Sequence, residues 1–382
     1  MKTASLGEVA DIISGATPKT GVADYWDGDV RWATPADLSK LDGAYIADSP
    51  RKLTAAGVRS CATSVLPEGS VLLSSRAPIG HVAINAIPMA TNQGFKSLIP
   101  GPDLDAKFLY YWLKSKTHYL QSLGNGATFK ELSKKTTEKI QIPLPPLEEQ
   151  RRIAAILDHA DALRTKRRQV LAHLDTLAQS IFHDMFGDVA WASTLGELAD
   201  VQIGPFGSLL HKDDYVSGGV PVLNPMHIRG GQIKPDYEFA VSDEKAASLP
   251  QYRIRTGDIL LGRRGEMGRA GVAIPAHDGM LCGTGSLILR PRYGDSSYLH
   301  AVATSPRMKK HLERNSLGST LPNLNTGIVK SSPAPAAGIE RQREFAGCIA
   351  QVHVDRDAVV QAQTADNELF ASLQSRAFRG EL

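Results

Sequence analysis

The chain repeats itself. LGEVADIISG at residues 6–15 returns as LGELADVQIG at 195–204. PEGSVLLSSRAPIGHVAI (67–84) returns as RTGDILLGRRGEMGRAGVAI (255–274), with Gly69 matching Gly257 and Gly80 matching Gly268. LGNGATFKELS (123–133) matches LGSTLPNLN (317–325) once a two-residue gap is allowed. EEQRRIAAIL (148–157) matches ERQREFAGCI (340–349), and LAQSIFHDMFG (177–187) matches LFASLQSRAFR (369–379). The matches are collinear and their offset stays between 188 and 194 residues. Chance does not preserve order over so many segments, so the chain is a duplication and must fold as two similar bodies.

Each half reads as a globular block followed by a long helix. The boundaries fall at 1–147 and 148–188 for the first copy, and at 189–338 and 339–382 for the second. The blocks read as mixed α/β. SVLLSS and HVAIN are short β-rich runs split by the turn RAPIG, and DILLG and AGVAI repeat the plan around RRGEMGR. FLYYWLKSKTHYLQSL (108–123) has helical spacing and runs to Gly124, a suitable helix stop.

The helical segments carry a heptad seam. Ile153, Ile156, Ala160, Leu163, Arg167, Val170, Leu174, Leu177 and Ile181 step alternately by 3 and 4, and only Arg167 breaks the apolar series. The second copy places Phe345, Cys348, Val352, Asp355, Val359, Ala362, Asp366, Leu369 and Leu373 at the matching positions. Its two aspartates either face Arg167 or sit in a solvated centre. A helix over 148–186 is about 58 Å long at about 1.5 Å per residue, longer than a typical domain. It needs a partner along its length, and the second helix has the matching length. The first helix runs from block one to block two, so the second returns in the opposite sense. The expectation is an antiparallel intramolecular coiled coil acting as a spacer between two similar blocks.

The segment PLPPLEEQRRIAAIL (143–157) marks the transition. Its prolines cannot continue a helix or a central strand, and close the first block in an extended conformation. Glu148 and Glu149 then suit the helix start, where the macrodipole favours negative charge. Leu157, Leu171, Ile181, Phe182 and Phe186, with Leu373 and Phe378 in the second copy, leave two readings open. They dock a partner protein, or they pack on the globular blocks.

Composition excludes several classes. No apolar run approaches 18 residues, so no transmembrane span is expected, and MKTASLGEVADII lacks the apolar block of a signal peptide. The three cysteines, Cys61, Cys282 and Cys348, are far apart, which suits a reducing cytoplasm and excludes a C-x-x-C site. The sequence holds no phosphate-binding G-x-x-x-x-G-K-[ST] loop and no H-E-x-x-H pair. NPMH (224–227) lacks the second proline and the aromatic of an amino-methyltransferase motif. His81 and His227 stand alone and read as structural rather than catalytic. No catalytic residue and no metal site is expected, and no cofactor bound by this chain.

A binding protein remains. The net charge of +3 comes from two weakly basic blocks alternating with two weakly acidic helices, which alone says little about nucleic acid. More informative is where the polar and basic residues fall. In block one, SSRAPIGH, TNQGFK and GNGATFKELSKK place Arg76, His81, Asn92, Gln93, Lys96, Thr128, Lys130, Lys134 and Lys135 near turns. In block two, GRRGEMGR, GTGS and GSTLPNLNTGIVK place Arg263, Arg264, Arg269, Ser319, Thr320, Asn323, Asn325 and Lys330 at equivalent points. Arginine bonds guanine bidentately, asparagine and glutamine bond adenine likewise, and lysine suits phosphate. A solvated loop is the competing reading of any one residue; the recurrence in both copies argues for the sets as DNA-binding.

The whole plan resembles the specificity subunit of type I restriction–modification enzymes. The features that carry the resemblance are PLPPLEEQRRI followed by the heptad helix, the opening LGEVADIISGATPK, the GSVLLSSRAPIG stretch and the final helix ending AFRGEL. The second copy departs from it: PAPAAGIERQREF stands for PLPPLEEQRRI, and LGRRGEMG for SSRAPIG. The resemblance implies two target recognition domains, each reading one half of a bipartite double-stranded DNA site, and an antiparallel helix pair that sets the gap. It implies two methyltransferase subunits that supply S-adenosylmethionine and the adenine-methylating site. A restriction subunit using ATP and Mg2+ is an optional further partner, and no membrane is involved. Two rival classes stay open on the residues themselves: a stand-alone nuclease, and a duplicated adaptor that binds protein only.

Overall fold

The computed structural model describes residues 2–76, 78–125, 130–293, 295–317 and 323–382. The chain packs as two compact units, Met1–Val170 with Val360–Leu382, and Leu171–Val359. Each is mixed α/β, and each takes one end of each of two long helices, Leu147–Phe186 and Ile339–Arg379.

The first unit is built on a five-stranded sheet in the order Ala10–Ser14, Lys96–Pro100, Val71–Leu73, Val82–Asn85, Tyr45–Ile46. A smaller sheet orders Lys52–Leu53, Trp26–Ala33 and Ala90–Thr91. The second unit repeats the principal sheet as Ala199–Ile203, Ser286–Pro291, Ile259–Gly262, Ala270–Val272. Val71 faces Ile84 across one hairpin, and Ile259 faces Val272 across its counterpart. The repeated LGE motif has a local cause. In both copies it opens a four-residue helix, Leu6–Val9 and Leu195–Leu198, whose glutamate reaches back to the residue before the helix. The Ser5 N–H donates to Glu8 Oε2 at 2.7 Å and the Thr194 N–H to Glu197 Oε2 at 3.0 Å, the reciprocal cap that satisfies orphan donors.

Residues 108–123 are not one helix. They fall in two, Ala106–Ser115 and Thr117–Ser122, with the break at Lys116. Six consecutive side chains, Phe108 to Leu113, are buried, and the bend lets Leu120 reach the same core.

The long helices run antiparallel within each unit. In the first, the Arg164 Nε–H donates to Asn367 Oδ1 at 2.7 Å and the Arg167 Nε–H to Asp366 Oδ2 at 2.8 Å, while Arg152 reaches the Leu382 carbonyl at 2.8 Å. Rising numbers on one helix meet falling numbers on the other. In the second unit Arg356 pairs with Asp175 at 3.0 Å, and Phe345 packs on Phe182 and Phe186 with centroids 5.8 and 5.6 Å apart. Of the two seam aspartates, Asp366 therefore faces Arg167; Asp355 accepts instead from Gln351 on its own helix.

The heptad seam is buried only in part. Ile153, Phe345 and Val352 are buried, and Ile156, Leu174, Val359 and Leu373 half-buried. Leu163, Val170, Leu177 and Leu369 keep 40, 43, 43 and 52% exposure, against the expectation of a closed apolar seam. Two causes act together. A straight α-helix drifts about 20° per heptad away from a 3.5-residue repeat. The helix ends also turn their apolar faces to the blocks. Ala154, Leu157 and Ala160 join the core of the first unit with Phe370 and Ala377, and Phe182 and Phe186 join that of the second. Leu157, Phe182 and Phe186 are thus core residues and not a partner-docking face. Leu373 and Phe378 pack against the first core, and Ile181 against the second.

PLPPLEEQ is explained by Gln150, whose side chain is fully buried. Its Oε1 accepts the Asp105 N–H at 2.9 Å, and its Nε2 donates to the Asp103 and Pro145 carbonyls, both at 2.9 Å. One amide thus satisfies three backbone groups where the helix leaves the block. In the second copy Gln342 donates to the Ala337 carbonyl at 2.9 Å, its one side-chain bond among the described residues. Gln150→Leu should therefore lower unfolding free energy by about 2–4 kcal/mol and Gln342→Leu by about 1 kcal/mol, from the cost of buried groups left unpaired. Urea titration of the two variants measures the difference; equal losses contradict the asymmetry.

Candidate nucleic-acid interface

One end of each principal sheet carries three knitted segments. In the first unit the Ser75 N–H donates to the Gly94 carbonyl at 2.7 Å, and the Ser75 carbonyl accepts the Leu132 N–H at 2.9 Å. Asn125 and Glu131 exchange both backbone bonds at 3.0 and 2.9 Å, forming the base of a hairpin beside Arg76. In the second unit the Arg263 N–H donates to the Gly285 carbonyl at 3.0 Å, and the Arg263 carbonyl accepts the Leu324 N–H at 3.0 Å. Leu317 and Asn323 close the matching hairpin base at 3.0 and 2.9 Å, beside Arg264. The backbone pattern is the same bond for bond. Gly80 and Gly268 return the chain at equivalent points with φ of 104° and 76°, and a Cβ on Gly80 would lie 2.8 Å from Thr117 Cγ2.

The side chains supporting the hairpins differ. In the first unit buried Lys96 holds Glu131 by an ion pair, Nζ to Oε1 3.2 Å. In the second, Asn323 stands at the place of Glu131, and the Arg263 Nε–H donates to its Oδ1 at 3.1 Å. Arg263 is 5% exposed; burial pulls its pKa below the ordinary value, and the charge of Arg264 adds to that. A buried cation under each hairpin thus comes from a different strand end.

The residues expected to touch DNA divide accordingly. Arg264, Lys130, Lys135 and Lys330 are exposed, and Arg76 and His81 are half-buried. Lys134 is exposed and 3.9 Å from Glu138, a contact worth little in water. Lys96 and Arg263 are corrections to that expectation: they are buried supports, Lys96 paired with the partly exposed Glu131 carboxylate and Arg263 bonded to Asn323. Asn325 caps the helix Thr326–Lys330 by accepting the Ile328 N–H at 2.8 Å, and Asn92 accepts the Gly94 N–H at 2.9 Å. Arg269 pairs with Glu266 and donates to the Pro225 carbonyl at 3.3 Å, while Gln93 accepts from the Thr17 hydroxyl. Thr128, Ser319 and Thr320 lie outside the described residues.

His227 is structural. It is 1% exposed, and its Nδ1 accepts the Asn224 N–H at 3.1 Å; His277, 5% exposed, accepts the Ile274 N–H at 3.2 Å in the same way. Burial lowers the pKa of both. Among the described residues no group of three His, Cys, Asp or Glu side chains is arranged to hold a metal, and no helix is long and apolar enough to cross a membrane.

Residues 1–173 match the family model described as type I restriction modification DNA specificity domain. This stretch, somewhat under half of the chain, is thus similar to the DNA specificity domain of type I restriction–modification systems. The MjaIX specificity subunit of Methanocaldococcus jannaschii is 40% identical over 189 residues, covering 49% of this chain and 43% of that subunit. Matches to two further subunits of that organism cover 62 and 28% of their lengths. The EcoKI specificity subunit of Escherichia coli K12 is 22% identical over 371 residues, 83% of this chain and 75% of that one. Two solved type I chains share the fold. The S subunit from M. genitalium aligns with a TM-score of 0.58 at 15% identity, over 99% of this chain and 96% of its own. A second, solved in work on complex assembly and conformational transition of the type I R-M system, gives 0.61 at 19% identity, over 100 and 98%.

Two outcomes follow for the interface and its support. Arg76→Ala and Arg264→Ala should each leave the melting temperature unchanged and weaken DNA binding by the assembled complex about tenfold, whereas Lys96→Met should lower stability by about 1 kcal/mol by removing the cation paired with the partly exposed Glu131. Calorimetry beside a binding isotherm separates the two effects. His227 and His277 have folded pKa values below the unfolded value of about 6.5, so the unfolded chain binds the extra protons. Stability present at pH 7 should fall as pH drops below about 6.5, by up to about 1.4 kcal/mol per pH unit for each histidine until its folded pKa is reached. His277→Asn should flatten part of that decline in a pH series of denaturation curves.

Proposed function

We propose that this chain is the sequence-reading, non-catalytic subunit of a type I restriction–modification complex. Each block reads one half of a bipartite double-stranded DNA site. The helix pair sets the gap between the halves and docks two methyltransferase subunits, which bring S-adenosylmethionine and methylate adenine. A restriction subunit supplying ATP- and Mg2+-dependent cleavage is a further partner.

The observation that carries this reading is the repeated hairpin base, with Arg76 and Arg264 beside it at matched positions on an otherwise diverged pair of blocks. A rigid backbone with variable side chains is what reading two unlike half-sites requires. The names of the relatives, all type I specificity subunits, support the same reading. Docking of partners draws support from the exposed apolar positions left on the long helices, Leu163, Val170, Leu177, Val354 and Leu369. Nucleic-acid affinity comes mainly from phosphate contacts, and a net charge of +3 is small for a lone high-affinity DNA binder. The chain by itself should therefore bind weakly, and tightly once joined by its methyltransferase subunits.

The test is reconstitution. The chain with methyltransferase subunits and S-adenosylmethionine should methylate adenine in a bipartite motif, one methyl group on each strand. Inserting one heptad in both long helices should lengthen the gap and leave the half-site bases unchanged. Cutting or methyl transfer by the chain alone would make it an enzyme in its own right. Absence of any DNA dependence would make it a protein adaptor.

A further inference from the structure

The end of the principal sheet that carries the hairpin has a different chemistry in the two units. In the second unit the strand Ala199–Ile203 runs into Gly204-Pro205-Phe206. A Cβ on Gly204 would lie 2.0 Å from the Gly283 carbonyl oxygen, so this strand exit is pressed against the 283–285 loop. The same loop is tied to Asn224, whose Oδ1 accepts the Gly285 N–H at 3.2 Å, and to Arg263, whose N–H donates to the Gly285 carbonyl at 3.0 Å. Arg263 in turn bonds the hairpin based on Leu317 and Asn323. Backbone contacts thus gather Phe206, Met226, Arg264 and Leu317 onto neighbouring loops.

Three of these four are large apolar side chains left in water. Phe206 is 63% exposed, Leu317 56% and Met226 47%. Phe206 heads a turn whose Leu210 is buried and whose Leu209 N–H bonds the Phe206 carbonyl at 2.9 Å, so the ring stands on an anchored loop. The first unit builds the same loops with Thr17, Ala36, Arg76 and Asn125 in the matching places. There the Thr17 hydroxyl bonds Gln93. One copy presents hydrogen-bonding groups and the other an apolar surface next to a cation. Exposed apolar patches rimmed by polar groups mark contact sites.

We propose that Phe206, on loops that also expose Met226 and Leu317, is a specificity-determining contact to the 5-methyl group of a thymine in the half-site read by the second unit. This rests on the DNA-reading function above. The thymine methyl is the one apolar mark on a base edge in the major groove, and it is read by apolar side chains. Exposed Arg264 on the adjoining loop gives the patch the charge complement of a DNA groove. The first unit reads its half-site by hydrogen bonds and lacks this contact.

The experiment uses the assembled complex and the duplex identified by methylation mapping. Each thymine of the second half-site is replaced in turn by deoxyuridine, which removes only the methyl group. The wild-type complex should bind one such duplex about fourfold more weakly, the worth of one buried methyl. The Phe206→Ala complex should bind the thymine and uracil duplexes equally, with an unchanged melting temperature. The proposal is overturned if no uracil substitution in that half-site weakens the wild type, or if Phe206→Ala keeps the full thymine preference. It is equally overturned if Phe206→Ala weakens assembly with the methyltransferase subunits while the preference survives, since the ring would then belong to a protein contact. Failure of the wild-type complex to bind any bipartite duplex specifically overturns the DNA-reading function itself, and this inference with it.

Discussion

Burial of two helix ends on one globular block is the interaction on which each unit depends. In the first unit Leu157 and Phe370 enter the core beside Tyr111 and Phe108, with Phe378 packed edge-on to Phe108 at 5.5 Å. In the second, Phe182 and Phe186 pack on Tyr298 with ring centroids as close as 4.9 Å, and Phe345 packs on both phenylalanines. Aromatic clusters of this kind combine large buried area with preferred edge-to-face geometry. The helix departures then have no slack. Gln150 saturates three backbone groups where the first helix leaves its block, and Lys107 and Tyr111 both bond Asp158 about two turns further on, at 2.7 and 3.1 Å.

Given that frame, the two copies diverge where divergence is cheap. Main-chain hydrogen bonds at the hairpin base do not depend on side-chain identity, so Ser75 and Arg263 serve the same backbone role. The polar group beneath the hairpin still needs a donor, and two solutions appear. Lys96 reaches Glu131 from one strand, and Arg263 reaches Asn323 from another. Conserving the backbone while exchanging its supports leaves the surface loops free to differ. That freedom accounts for a polar face in one unit and an apolar one in the other.

The duplication, the mixed α/β blocks and both long helices were legible because each leaves a periodic or repeated mark. Arg167 facing Asp366 was one of two readings the pattern allowed. The candidate interface was legible only as sets of loops. Lys96 and Arg263 look like any other loop cation in a string of letters, yet both are buried, because burial depends on a hairpin that arrives from 35 to 60 residues away. Phe206 was passed over for the converse reason. An aromatic residue reads as core until a structure leaves it standing in solvent.

By itself the sequence determined the order of elements, the twofold repeat and the length of the helices, since these follow from local propensity and from the spacing of apolar residues along one chain. Only the tertiary structure decided which face of each helix is buried. Leu157, Phe182 and Phe186 go to the blocks while Leu163, Val170 and Leu177 stay exposed. The physical reason is that a helix with apolar residues on more than one face has competing places to bury them. The larger area offered by a globular block outweighs the narrow stripe offered by a second helix.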